Sequence, residues 1–204
     1  MLKSFTQAAA DYCAAAKNRT RQSVPRLLIL GILAGMFIAL AGTAASVGGA
    51  LAGKIASAAI FPAGLAMVIL AGSELFTGNC LFLLPLLRGD ITGGRTMGSW
   101  AIVYCGNLIG SIVIAFVVVR CGVLDSIAPA AIATAAAKAS LPFGAAFLRG
   151  VLCNLLVCLA VWMALCAGSA GGKVISLYGP IFLFVLCGFE HSIANMFYLP
   201  AGIL

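Results

Sequence analysis

Charge is scarce in this chain. Its 204 residues carry five carboxylates, twelve Lys or Arg and a single histidine, so charged residues make up 8% of the total and hydrophobic ones 63%. A soluble globular domain of this size cannot hide that much apolar surface, and lipid must be the solvent for most of it. With one histidine, no imidazole pair is available to hold a metal. The eight cysteines include no Cys-x-x-Cys pair, and Cys80, Cys105, Cys153, Cys158, Cys166 and Cys187 all fall in apolar stretches. That pattern argues against a disulfide framework, a zinc site or a redox centre; buried free cysteine behaves as a small hydrophobe. No metal and no cofactor is expected.

What the chain has instead is length without charge. Uncharged stretches run from Leu27 to Gly53, Ile55 to Ser73, Thr96 to Val119 and Gly150 to Gly172. A transmembrane helix needs about 20 apolar residues, which each stretch meets or nearly meets. The first run is too long for a signal-peptide core and lacks a charged leader with a small-residue cleavage site. Residues 1–24 read as a cytoplasmic arm, and residues 4–16 as a short interfacial helix. Alternating the spans from there puts Lys3, Lys17, Arg19, Arg21, Arg26, Arg88, Arg95 and Lys173 inside, and Lys54, Arg120 and Lys138 outside. This agrees with the positive-inside rule. The net charge of +7 therefore records topology and does not argue for nucleic acid.

Two apolar stretches are too long. Ile55 to Leu87 is 33 residues with Glu74 the only charge; as one straight helix it would reach about 50 Å, against a hydrocarbon core of about 30 Å. Val174 to Leu204 repeats the pattern around Glu190. The midpoints read Glu74-Leu75-Phe76-Thr77-Gly78-Asn79 and Glu190-His191-Ser192-Ile193-Ala194-Asn195, both E-x-x-x-x-N. Polar residues at that depth suit an unwound loop between two half-helices, tolerated only where protein or a water-filled cavity satisfies the backbone. Matched breaks point to an inverted repeat with a central binding site. Both glutamates are expected to accept backbone N–H groups and so hold the loops in shape. The order is span, broken span, span, a loop over 120–141, span, broken span. Symmetry then calls for a sixth span, which the sequence to Leu204 does not contain.

At these loops the sequence resembles the formate/nitrite transporter family, pentameric channels with an aquaporin-like protomer. The resemblance rests on "AGSELFTGN" at 71–79 and "GFEHSIANMFYLPAG" at 188–202, supported by "GNLIG" at 106–110 and "LCNLLVCLAVWM" at 152–163. It implies an all-α fold of three plus three spans with two broken helices, and a single transmembrane channel domain over 1–204. It also implies a homopentamer in the inner (plasma) membrane with its N-terminus cytoplasmic. The substrates implied are small monovalent weak-acid anions, formate first, then nitrite and hydrosulfide. The family pattern matches its central histidine to His191 and the threonine bonded to it to Thr77. The vestibule lysine and the asparagine facing it match Lys138 and Asn154. The apolar constriction matches Phe61, Leu65 and Phe184. Glu74, Asn79, Glu190 and Asn195 are the supports of the pore loops.

These residues suit an anion pathway. A bare charge at the bilayer centre costs at least ~3 kcal/mol, and a cation such as Lys138 at a vestibule raises the local anion concentration. Phe61 and Leu65, four apart, share a helix face, and an apolar collar penalises hydrated ions. The half-helix N-termini at the breaks offer N–H groups with partial positive charge. His191 either relays a proton to a transiently protonated substrate or donates a fixed hydrogen bond from a neutral ring; the sequence leaves both open. A neutral-solute pore of the aquaporin kind is disfavoured by the missing Asn-Pro-Ala loop. An enzyme is disfavoured too: Glu190 and His191, adjacent in sequence, would point ~100° apart on a helix. Gly31-x-x-x-Gly35 and Gly106-x-x-x-Gly110 read as helix-packing faces, within or between protomers.

Overall fold

The computed structural model describes residues 2–204, which contain ten α-helices, two short 3₁₀ turns and no strand. α1 (Phe5–Arg19) is capped by Ser4, whose side chain accepts from the Gln7 N–H. It is not a lone interfacial helix. Ala8, Ala9, Tyr12, Cys13 and Ala16 form a buried face against the bundle, with Tyr12 beside Phe82 and Phe5 beside Trp162.

α2 (Val24–Ile60) turns at Gly53, whose φ of 81° interrupts the helix, and α3 (Pro62–Ala71) carries on from it. α4 (Phe76–Asn79), a 3₁₀ turn over Cys80–Phe82 and α5 (Leu83–Leu87) make the other half of the first long stretch. α6 (Gly93–Arg120), α7 (Ala128–Ala139) and α8 (Phe143–Cys166) follow, then α9 (Ala170–Cys187) and α10 (Ser192–Ile203). Among the described residues four stretches are long and apolar enough to cross a membrane: Val24–Ala71, Gly93–Arg120, Phe143–Cys166 and Ala170–Cys187.

Both long stretches break where the matched motifs stand. α3 ends at Gly72 (φ 69°) and α9 at Gly188 (φ 71°), each in the left-handed region that a residue without Cβ enters at no cost. Ser73 N–H returns to Val68 O and Phe189 N–H to Phe184 O, the same reverse hydrogen bond at both ends. Glu74 and Glu190 then lie two residues past their glycines, and Asn79 and Asn195 five residues past the glutamates.

α2 and α6 pack through their glycines. A methyl on Gly106 would stand 2.8 Å from Leu28 O and one on Gly31 3.0 Å from Val103 O; at Gly35 and Gly110 it would enter the backbone of Asn107 and Ile32. This close approach lies within the chain and fits the small-residue spacing. The connection after α6 differs from the expected loop over 120–141. Its alanine-rich end forms α7, because Ala has the highest helix propensity and Pro129 suits a first turn. α7 lies against α10, where Gly202 faces Ala131 and Ala135.

Candidate functional site

His191 caps α10. Its Nδ1 accepts the Ala194 N–H at 3.0 Å, and its Nε2 lies 3.0 Å from Thr77 Oγ1. An Nδ1 that accepts a backbone N–H carries no proton, so the ring is neutral, with its hydrogen on Nε2 and donated to Thr77. The two breaks, 114 residues apart in sequence, are thus joined by one side-chain hydrogen bond. Phe184 stacks on the imidazole (centroids 5.6 Å, 16°) and Phe61 meets both rings edge-on. Phe61, Leu65, Phe184, Thr77 and His191 are each no more than 4% exposed.

A cavity opens on either side of this cluster. One, of about 460 Å³, is lined by Phe61, Phe184, His191, Asn195, Lys138 and Lys54 among others. The other, of about 500 Å³, is lined by Leu65, Gly78, Glu74, Asn79, Arg26 and Lys173 among others. Phe61 belongs to the first and Leu65 to the second. These two residues are one helical turn apart, about 6 Å along the axis. Two water-accessible spaces are thus separated by a thin apolar wall with a single polar pair, His191 and Thr77, beside it.

The glutamates do not accept backbone N–H groups as the sequence suggested. Each is the counter-ion of a cation carried in by a distant helix. Arg19, at the end of α1, bonds Glu74 through Nε (2.7 Å to Oε1) and through Nη2 to Oε2, and Nη2 also reaches Asn79 Oδ1 at 2.6 Å. Asn79 Nδ2 closes the set on Glu74 Oε2 at 2.8 Å. At the second break Lys138 Nζ, from α7, donates to Glu190 Oε2 at 2.8 Å, and Asn195 Nδ2 donates to the same oxygen at 2.8 Å. The physical reason is desolvation. An ionised carboxylate away from water is tolerated when an opposite charge and further donors meet it, and each glutamate here has both. Each glutamate is thereby tied to a helix far away in sequence as well as to the asparagine of its own loop.

The Lys138 ammonium is therefore paired with a carboxylate and also lies over the Tyr198 ring at 5.3 Å. Asn154, expected to face it, is not bonded to it. Its Nδ2 is 3.7 Å from Cys158 Sγ, and its Oδ1 is buried without a partner. Cys158 in turn lies 3.7 Å from Thr77 O, so Asn154 reaches the pore loop through the thiol and not through the lysine.

Sequence reasoning missed two groups. Arg19 reads in the sequence only as a topological charge. Asn107 stands there only as part of the "GNLIG" motif, yet its fully buried amide ties the first break together. Its Nδ2 donates to Gly31 O (2.7 Å) and Glu74 O (2.9 Å), and its Oδ1 accepts the Phe76 N–H (2.9 Å). An amide alone in an apolar span was the available signal. The amides at the breaks are also less free than expected, since Phe76 N–H goes to Asn107 and Ala194 N–H to His191.

Comparison with known proteins places this arrangement. Residues 6–204 match the family profile described as "Formate/nitrite transporter". A probable formate transporter of Methanothermobacter thermautotrophicus is 38% identical over 230 aligned residues, covering 98% of this chain and 83% of that protein. Among solved structures, an "FNT family ion channel" superposes with a TM-score of 0.90 at 30% identity, over 98% of this chain and 84% of that one. A "pentameric formate channel with formate bound" superposes with a TM-score of 0.78 at 34% identity, over 88% and 75% of the two chains.

Proposed function

Because the chain belongs to the formate/nitrite transporter family, we propose that it conducts small monovalent weak-acid anions across the membrane, formate first, with nitrite and hydrosulfide as alternatives. It is a transport protein of a membrane and not an enzyme. The observation that carries the reading is the His191–Thr77 pair set against the wall of Phe61, Leu65 and Phe184 between two cavities. A formate ion has water on both sides and about one helical turn of apolar surface to cross. As an ion it meets the full cost of a charge in a dry site; as formic acid it does not.

His191 acts in this reading as a fixed donor. Its Nε2–H is given to Thr77, which leaves the threonine hydroxyl hydrogen free to donate to a substrate oxygen. A relay through the ring would need a proton on Nδ1 and would break the bond from Ala194 that caps α10. The proton that neutralises the substrate then comes from water in a cavity. Asn154 sets the loop backbone at Thr77 through Cys158, and the Glu74–Asn79 and Glu190–Asn195 pairs keep the two loops in register. The breaks fit an inverted repeat of the aquaporin kind. Exposed apolar side chains along α6 and α8, such as Phe116, Val117, Phe147 and Leu148, suit lipid and neighbouring copies in a homopentamer. The excess of Lys and Arg on the α1 side suits an N-terminus in the cytoplasm and an inner-membrane location.

The test is swelling of proteoliposomes, followed by light scattering, in formate, nitrite, hydrosulfide and glycerol at several pH values. Formate entry faster than glycerol and rising at lower pH is expected. Glycerol entry without formate entry, with insertion verified, would overturn the reading in favour of a neutral-solute pore.

A further inference from the structure

Two lysines line the cavity on the α7 side of the collar, and they are in different electrostatic states. Lys138 has its charge met by Glu190 at 2.8 Å, with a side chain only 18% exposed. Lys54 is exposed and, among the described residues, forms no ion pair and finds no carboxylate in the lining of the cavity. To an approaching anion the Lys138–Glu190 pair is a dipole, whose potential falls off faster with distance than that of the net positive charge on Lys54.

Its position is set by the backbone. The turn at Gly53 starts a new run of helix at Lys54 that continues into α3. Lys54, Phe61 and Leu65 are spaced seven and four residues apart, which at 100° per residue keeps all three within about 40° of one face. Lys54 is thus the outermost member of the row that supplies the collar. Its ammonium also lies against the second break, 3.9 Å from where a Cβ on Gly188 would stand.

We propose that Lys54, and not Lys138, is the cation that draws the anion into this cavity, with Lys138 serving to hold Glu190 and the loop that carries His191. This rests on the reading of the chain as an anion channel. The recruiting charge is displaced from the loop because a lysine cannot both neutralise a buried carboxylate and present a net charge to solvent. A residue at the mouth is free to do the second.

The experiment is uptake of about 1 mM labelled formate into proteoliposomes at low and high ionic strength, for the unsubstituted protein, Lys54→Gln, Lys54→Arg and Lys138→Gln. A single exposed charge about 7 Å from the anion in water is expected to change its local concentration about threefold. Lys54→Gln should therefore take up formate about threefold more slowly at about 10 mM ionic strength. The difference should vanish near 1 M, where the screening length is ~3 Å. Lys54→Arg should match the unsubstituted protein. Lys138→Gln should slow uptake equally at both ionic strengths, since it disturbs a loop and not a field. If Lys54→Gln keeps the salt dependence of the unsubstituted protein, or if only Lys138→Gln loses it, the inference is overturned. If the unsubstituted protein takes up no formate while insertion is verified, the functional reading fails instead, and the two failures are distinguishable.

Discussion

Removing the Arg19 guanidinium alone should damage the first break more than removing it together with the Glu74 charge. Glu74's side chain is 4% exposed and its two oxygens receive three hydrogen bonds, two of them from Arg19. Arg19→Met leaves that carboxylate with Asn79 Nδ2 as its one donor. Stranding one partner of a buried pair costs about 3–5 kcal/mol. Arg19 itself is 26% exposed, so water partly replaces it and the expectation is the lower end, about 3 kcal/mol. For a chain of this size that lowers the melting temperature by roughly 10 °C. Arg19→Met with Glu74→Gln removes both charges while the new amide still pairs with Asn79, and it should recover most of the loss, ending within about 1 kcal/mol of the parent. The assay is thermal unfolding in detergent for the two single variants and the double one, with amide exchange over 72–79 reporting the loop directly. A double variant no more stable than Arg19→Met would refute the reasoning, because the damage would then come from lost packing of Arg19 on Phe82, over which it lies at 5.2 Å.

Thr77→Val keeps the shape of the pore loop but leaves the His191 Nε2–H without an acceptor; it should cost about 1–3 kcal/mol of stability and cut formate flux at least about tenfold. His191→Asn preserves a residue able to cap α10, so the protein should fold and conduct more slowly with an unchanged pH profile of flux; a flattened profile would restore the proton relay. Gly106→Ala forces a methyl to 2.8 Å from Leu28 O and should lower stability by about 1–3 kcal/mol, read as a fall in melting temperature with Gly98→Ala, which meets nothing within 4 Å, as the control. On the exposed arm, the Lys3 hydrogen bond at 2.7 Å, followed by that from Gln7, holds the Asp11 carboxyl below its ordinary value. A depressed carboxyl stabilises the folded arm above the unfolded value near pH 4, and the effect is lost as pH falls through the folded value. Amide protection over residues 5–11 should therefore hold from pH 7 to about pH 4 and decline below it, and in Asp11→Asn that decline should be absent.

The sequence by itself determined the helical spans, the places where two of them break, and the matched glutamate and asparagine at each break. Lipid enforces these features locally: a span must be about 20 apolar residues long, and a carboxylate in its middle must sit in a turn that protein lines. His191 and Thr77 were legible through the resemblance of their flanking motifs. The tertiary structure decided which charge meets which. Arg19 reaches Glu74 across 55 residues and Lys138 reaches Glu190 across 52, and both pairings depend on where α1 and α7 pack. Residues 120–141 read as a loop because Arg120, Asp125 and Lys138 break the apolar run there, yet local propensity builds α7 in its alanine-rich part and delivers Lys138. The same packing leaves Asn154 without a hydrogen bond to Lys138 and makes Lys54 the exposed cation of the two lysines that line the cavity. Span length and backbone breaks follow from neighbours along the chain; the sign and strength of the field in a cavity depend on every charge around it, and those charges come together only when the helices do.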